Sequence, residues 1–119
     1  MILVVEDDPQ VARLISLVLQ RSGHNSQVVA DGQSALDQAR QQRPSMIFAD
    51  LTIQGMGGEA LCSALKSHEE TRNIPYIVVS GDRDIAEKAR QCGADDYMGK
   101  PFEFEDLIRL VNKYAKAHS

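Results

Sequence analysis

Three apolar runs in this chain, and a fourth segment of mixed character, stop on residues that can do chemistry. Ser45-Met46-Ile47-Phe48-Ala49 ends at Asp50, Ile2-Leu3-Val4-Val5 runs into Glu6-Asp7-Asp8, and Tyr76-Ile77-Val78-Val79 runs into Ser80. A fourth segment, Asp95-Asp96-Tyr97-Met98-Gly99, delivers Lys100-Pro101. If Glu6, Asp7 and Asp50 converge, their charges repel unless protons or a cation intervene, and hard oxygen donors favour Mg²⁺ or Mn²⁺. Mg²⁺ keeps several waters, so one or two direct carboxylates, a carbonyl and a phosphate oxygen would suit it. Lys100 offers a compact positive charge for a phosphoryl oxygen and Ser80 a hydrogen bond for another. Taken singly these residues are commonplace: Asp50 is a turn residue, Ser80 a helix cap, Lys100 a solvated charge. Glu6-Asp7-Asp8 is equally the acidic first turn of a helix, the preferred reading for Asp8 because Pro9 follows it. Their meaning depends on whether one edge of the fold gathers them.

The elements that must do so are well marked. Residues 2 to 6 read as a short strand buried on both faces, as in a parallel sheet covered by helices. In the next segment Val11, Leu14, Ile15, Val18 and Leu19 form one apolar helical stripe, with Asp8 as N-cap, Pro9 in the first turn and Gly23 as the stop. A strand at 27–29 precedes a helix from Gln33 to Gln42 with Ala35, Leu36 and Ala39 inward, ended by Pro44. Strand 46–50 leads through Thr52-Ile53-Gln54-Gly55-Met56-Gly57 to a helix near 58–67 with Leu61, Ala64 and Leu65 inward. Pro75 introduces strand 76–80, Asp84 to Gln91 forms a helix closed by Cys92-Gly93, and strand 95–98 precedes a helix with Phe104, Leu107, Ile108 and Val111 inward.

Five strand-helix units in strict alternation predict an α/β fold: a flavodoxin-like, doubly wound, five-stranded parallel sheet with five helices. In such sheets the site lies beyond the carboxyl ends of the strands, where the winding direction reverses. With strand order 2-1-3-4-5 that point brings Glu6, Asp7 and Asp50 together, with Ser80 and Lys100 alongside.

The chain has 119 residues and a formal net charge of -4. It is expected to form one domain over 1–119, large enough to fold without disulfides or metal staples. Its mild acidity, without blocks of like charge, argues against a nucleic-acid or anionic-membrane surface. Cys62 and Cys92 show no CxxC or Cys/His pattern and read as reduced apolar fillers, consistent with a cytoplasmic setting. No apolar run approaches membrane-spanning length, and the first residues lack signal-peptide features.

These motifs together resemble, over essentially the whole chain, the response-regulator receiver domains of two-component signalling. The segments that carry the likeness are Ile2 to Pro9, Met46 to Asp50, Gly55 to Gly58, Val78 to Gly81 and Gly93 to Phe102. The resemblance implies that Asp50 is the phosphoacceptor, served by a phosphohistidine of a sensor histidine kinase or histidine phosphotransfer protein. It implies direct Mg²⁺ ligation by Asp7, Asp50 and the backbone carbonyl of Thr52, with Glu6 acting through a metal-bound water. Ser80 and Lys100 would hold phosphoryl oxygens. Tyr97 would be an aromatic switch that follows Ser80 and alters the surface of the fourth helix, fifth strand and fifth helix. Output would pass to a downstream protein or a fused output domain; the chain's close after its fifth helix and the abutment of Met1 on the first strand favour an excised or phosphorelay receiver.

Three positions depart from the usual pattern. Glu6 stands for the commoner Asp, Gln54 for a proline, and Gly99 for a Thr or β-branched residue. Gln54 followed by three glycines predicts a loose loop after Asp50, mobile without Mg²⁺ and ordered on phosphorylation. A haloacid-dehalogenase-like phosphatase would need a second acid two residues beyond the nucleophile, where this chain has Thr52. A degenerate receiver is disfavoured by the presence of Glu6, Asp7, Asp50, Ser80 and Lys100.

Overall fold

The computed structural model describes residues 1–115; the last four positions of the domain expected over 1–119 lie outside the described residues. The chain alternates β1 (Ile2–Val5), α1 (Pro9–Arg21), β2 (Ser26–Val29), α2 (Gly32–Gln42), β3 (Met46–Asp50) and α3 (Gly58–Lys66). It continues through β4 (Tyr76–Ser80), α4 (Ile85–Cys92), β5 (Asp96–Gly99) and α5 (Phe104–Tyr114). All neighbouring strands pair in parallel, in the order β2-β1-β3-β4-β5. The three central strands are buried at every residue, which is why they read as unbroken apolar runs. The edge strands β2 and β5 mix polar with apolar residues and stay partly exposed.

Two cores flank the sheet. On one face Leu3, Val5, Ile47, Ala49 and Val78 pack with residues of α2, α3 and α4; on the other Ile2, Val4, Phe48, Ile77 and Val79 pack with α1 and α5. The helix signals fall where expected. Asp8 Oδ1 accepts from the backbone N–H of Gln10 at 2.9 Å, Pro9 opens α1, and Gly23 follows its end with φ 88°. Cys62 and Cys92 are free and buried; the Cys62 thiol donates to the Cys92 carbonyl at 3.3 Å, and burial pushes its pKa up, so both act as packing groups.

Three expectations are corrected. The fifth strand begins at Asp96 rather than 95: the Asp95 N–H donates to the Tyr76 carbonyl at 2.9 Å, but the Tyr76 N–H is taken by the Asp95 carboxylate at 2.8 Å, which also accepts from Lys66 Nζ at 2.7 Å. In α1, Leu14 is 40 % exposed and Ala12 takes a core position instead. In α5, Phe104 is 50 % exposed and Ile108 also faces out, while Leu107, Leu110 and Val111 meet the sheet. The cause is geometric: α1 and α5 lie side by side, so only part of each apolar stripe reaches the sheet and the rest lines a shared surface groove with Leu17 and Val18. Leu107→Ala should therefore cost about 2–5 kcal/mol in urea unfolding. Phe104→Ala should cost less than about 1 kcal/mol, and equal losses would contradict this packing.

Candidate functional site

Every element needed for the site ends at the same edge. β3 carries Asp50 out of the core, β1 delivers Glu6, β4 ends in Ser80, and Lys100 follows β5, joined to Pro101 by a cis peptide. Register fixes the depths: Val5 pairs with Ala49, Asp50 with Val79, and Ser80 with Gly99, so the four side chains emerge within one step of one another.

Lys100 ties the acidic pair. Its Nζ lies 2.5 Å from Asp50 Oδ2 and 3.1 Å from Glu6 Oε1, closing contacts between residues 50 and 94 positions apart in sequence. Asp50 is 5 % exposed and Glu6 3 %. Burial alone would raise the Asp50 pKa, but hydrogen bonds from Lys100 and from the Thr52 amide and hydroxyl outweigh it and hold the carboxyl below its usual range. For Glu6 burial prevails over the Asp8 amide and Lys100, and its carboxyl sits above its usual range. Burial disfavours the Lys100 ammonium too, yet its two carboxylate partners raise its pKa. The result is an anionic Asp50 beside a firmly protonated lysine.

Asp50 Oδ1 faces the other way. It accepts from the Thr52 N–H at 2.9 Å and from the Thr52 hydroxyl at 3.0 Å. Sequence reasoning missed this side-chain role, although a carboxylate bonding the amide two residues on is a recognisable Asx-turn spacing. Thr52 offers a hydroxyl and not the carboxyl that the second acid of a dehalogenase-like phosphatase requires.

The remaining candidates occupy the rim. Ser80 is buried, and its Oγ accepts from the Asp82 N–H at 3.0 Å. Tyr97 is 43 % exposed on β5, paired with Val78 and beside a cavity of about 210 Å³ against α4. Asp7 is exposed, and among the described residues no hydrogen bond or ion pair joins it to Asp50. Glu6 and Asp50 meet on Lys100, and among the described residues no three acidic, His or Cys side chains form a ready-made metal cage. A lysine ammonium already compensates the pair that would otherwise demand a cation. An Mg²⁺ ion does not need such a cage, since it keeps several waters and takes few protein oxygens.

The loop after Asp50 makes contacts that composition does not reveal. Leu51 and Ile53 are buried, Gln54 makes a parallel bridge to Asp31, and the Gly32 N–H donates to the Gln54 carbonyl at 3.4 Å. Met56 lies so close over Gly32 that a Cβ there would meet its Cβ at 2.6 Å. The glycines turn the loop, but apolar anchors and the bridge tether it.

Residues 2–112 match the family described as the response regulator receiver domain. The chain belongs to that family. The receiver is 34% identical over 112 residues to the DNA-binding response regulator MtrA of Mycolicibacterium smegmatis, covering 92% of this chain and 48% of that protein. It is 33% identical to the DNA-binding dual master transcriptional regulator RpaA of Synechocystis, covering 92% of this chain and 46% of that one. The receiver thus spans about half the length of the curated relatives it matches. Among solved structures, a response regulator from Chloroflexus aurantiacus superposes with a TM-score of 0.92 at 31% identity, over 97% of this chain and 96% of that one. The receiver domain of the sensor histidine kinase PA1611 from Pseudomonas aeruginosa, with a magnesium ion coordinated in its active site cleft, gives 0.89 at 29% identity and the same coverage. Receivers are signalling switches rather than classical enzymes, and among the described residues no helix of this one is long and apolar enough to cross a membrane.

Proposed function

We propose that this receiver takes a phosphoryl group from the phosphohistidine of a sensor histidine kinase or histidine phosphotransfer protein onto Asp50, and signals by the change that follows. The observation that carries the reading is the buried, ionised Asp50 carboxylate with Lys100 Nζ 2.5 Å from Oδ2. As the P–N bond to the donor imidazole breaks, a bond forms from a carboxylate oxygen of Asp50 to phosphorus, and the electron pair leaves with the imidazole nitrogen. Lys100 stands where its ammonium can leave Glu6 for a phosphoryl oxygen, keeping a positive charge beside the transferred group throughout.

Asp7, Asp50 and the Thr52 backbone carbonyl would hold Mg²⁺, with Glu6 behind a bound water; Mn²⁺ would suit the same oxygens. When bound, the ion supplies positive charge to the phosphoryl oxygens. Ser80 would then exchange the Asp82 amide for a phosphoryl oxygen, donating its own proton in that bond.

The switch role of Tyr97 is supported by the register. Ser80 pairs with Gly99 and Val78 with Tyr97, so Tyr97 and Ser80 share a sheet face two residues apart. Between them Gly99 carries no side chain, and a Cβ there would find only the Ser80 carbonyl, at 4.0 Å. The lane along which the ring would follow Ser80 inward is open. Such a movement changes the α4, β5 and α5 surface, which a downstream protein or fused output domain would read.

The test is intact mass after incubation with Mg²⁺ and acetyl phosphate. One phosphoryl adduct is expected on the wild-type chain and none on Asp50→Asn or on wild type kept in EDTA. Adduct formation on Asp50→Asn would place the acceptor elsewhere.

A further inference from the structure

Asp82, in the loop between β4 and α4, is held at both ends. Its N–H donates to the Ser80 hydroxyl oxygen at 3.0 Å, and its carboxylate accepts from Lys88 Nζ at 2.8 Å. The first bond reaches a buried side chain at the end of β4, the second a side chain in the helix that follows. An N-cap carboxylate ordinarily fixes the entry of the chain into a helix. Asp84 stands at that position of α4 but makes no side-chain bond to the helix amides, and its Oδ1 lies 3.8 Å from the same Lys88 Nζ. Lys88 therefore reaches back from the first turns of α4 and secures the loop by charge instead, and its bond to Asp82 raises its own pKa. With its carboxylate anchored, Asp82 keeps its N–H aimed at the place that Ser80 Oγ occupies without a phosphoryl group. To serve a phosphoryl oxygen Ser80 must give up that N–H, and the loop then loses one of its two anchors.

We propose that the Lys88–Asp82 ion pair is a latch that holds Ser80 in its resting position and loosens as the signal passes from the β4 end into α4. It rests on the phosphoacceptor reading of Asp50, because the phosphoryl group is what draws Ser80 away. A contact shifts an equilibrium only by the difference it makes between the two states, and this pair is complete while Asp82 is still bonded to Ser80. The two side chains are 32 % and 42 % exposed. Such a pair is weak and screened by salt, which suits a latch that one phosphoryl group can open.

The experiment follows the backbone amide peaks of Gly81 and Ala86 by proton–nitrogen correlation NMR in wild type, Lys88→Met, Lys88→Arg and Arg40→Met. Untreated wild type marks one end of each peak's path, and wild type kept in excess acetyl phosphate and Mg²⁺ marks the other. Without phosphodonor, the Lys88→Met peaks should lie on that path, moved toward the phosphorylated end by an about two- to fivefold rise in the ratio of phosphorylated-like to resting forms. Lys88→Arg keeps the charge and should stay close to wild type. Arg40→Met removes the same charge from an exposed pair on α2, Arg40 with Glu70 at 3.5 Å, and should leave both peaks in place. Raising NaCl from about 0.05 to about 0.5 M should move the wild-type peaks along the same path and not those of Lys88→Met, which has no pair left to screen. Lys88→Met peaks that coincide with wild type or leave the path overturn the proposal, as does an equal displacement in Lys88→Arg or Arg40→Met, or an adduct on wild type that moves neither peak. If the wild-type chain takes no adduct on Asp50, the phosphoacceptor reading falls and the latch with it; an adduct with unmoved Lys88→Met peaks removes the latch alone.

Discussion

Lys100→Ala should slow phosphorylation of Asp50 by about 10²–10³-fold, the usual cost of removing one preorganised charge-stabilising donor from a reacting centre. The same substitution should reshape stability. Lys100 lies between two carboxylates that are almost fully buried, at 2.5 Å from Asp50 and 3.1 Å from Glu6. Deleting it leaves both without their cation. Breaking a fully buried pair costs about 3–5 kcal/mol, and because the Lys100 side chain keeps 28 % exposure we expect about 2–3 kcal/mol at pH 7.

The pH dependence has a definite sign. In the wild type the Asp50 pKa is depressed, so its contribution is present above the unfolded value near ~3.9 and is lost as pH falls through the folded value. Without Lys100, Asp50 loses its largest lowering contact and keeps only the Thr52 bonds against burial, while Glu6, already raised, loses its cation. A carboxyl raised in the folded state stabilises while protonated and loses that contribution as pH rises. The stability deficit of Lys100→Ala should therefore be largest at neutral pH and shrink as the pH falls through about 4. Urea midpoints between pH 3.5 and 7 measure it, and a deficit independent of pH would mean that Lys100 does not compensate these carboxylates.

Gly58→Ala is the second large effect, and it acts on the site through the backbone. Gly58 opens α3 directly under the end of β3, and a Cβ there would lie 2.5 Å from the Asp50 carbonyl oxygen and 2.7 Å from the Leu51 Cα. Both are main-chain atoms and cannot rotate away. The Gly58 N–H donates to the Leu51 carbonyl at 3.1 Å and the Gly58 carbonyl accepts from the Tyr76 hydroxyl at 2.9 Å, so the helix start is pinned on two sides. Adding one methyl should force α3 off the strand at a cost of about 1–3 kcal/mol from overpacking. The displacement falls on Asp50 itself, and a shift approaching 1 Å can slow a reaction about 10²-fold. Phosphorylation should drop at least about tenfold while the chain stays folded. Gly23→Ala is the control: Gly23 has φ 88° and nothing within 4 Å of its Cβ position, far from the site. It should lose about 1 kcal/mol and phosphorylate at the wild-type rate. Wild-type kinetics in Gly58→Ala would show that α3 can slide without carrying Asp50.

The order of elements was legible in the sequence because it depends on short-range rules. Strands buried on both faces must be continuously apolar, so Ile2–Val5, Met46–Asp50 and Tyr76–Ser80 announce themselves. Asp8, Pro9 and Gly23 mark α1 because capping is decided within a few residues. Five such units leave few chiral arrangements, so the doubly wound sheet and the edge that carries Asp50, Glu6, Ser80 and Lys100 follow from the sequence as well.

Other features were settled only when the chain closed on itself. Periodicity gives the width of an apolar stripe but not how much of it a neighbour will cover, so Leu14, Phe104 and Ile108 read as core and stand outside it. Composition shows the glycines of the loop after Asp50 but not its long-range contacts, the bridge from Gln54 to Asp31 and the burial of Leu51 and Ile53. Residue types identified the acids and the lysine but not their pairing: Lys100 sits between Glu6 and Asp50, and Asp7 stays at the rim. The physical reason is range. Sterics, hydrogen-bond period and capping act over a few residues and leave their mark in local sequence. Ion pairs across 50 and 94 positions, and the 2.5 Å approach that leaves no room for a side chain at Gly58, depend on where separate strands and helices come to rest.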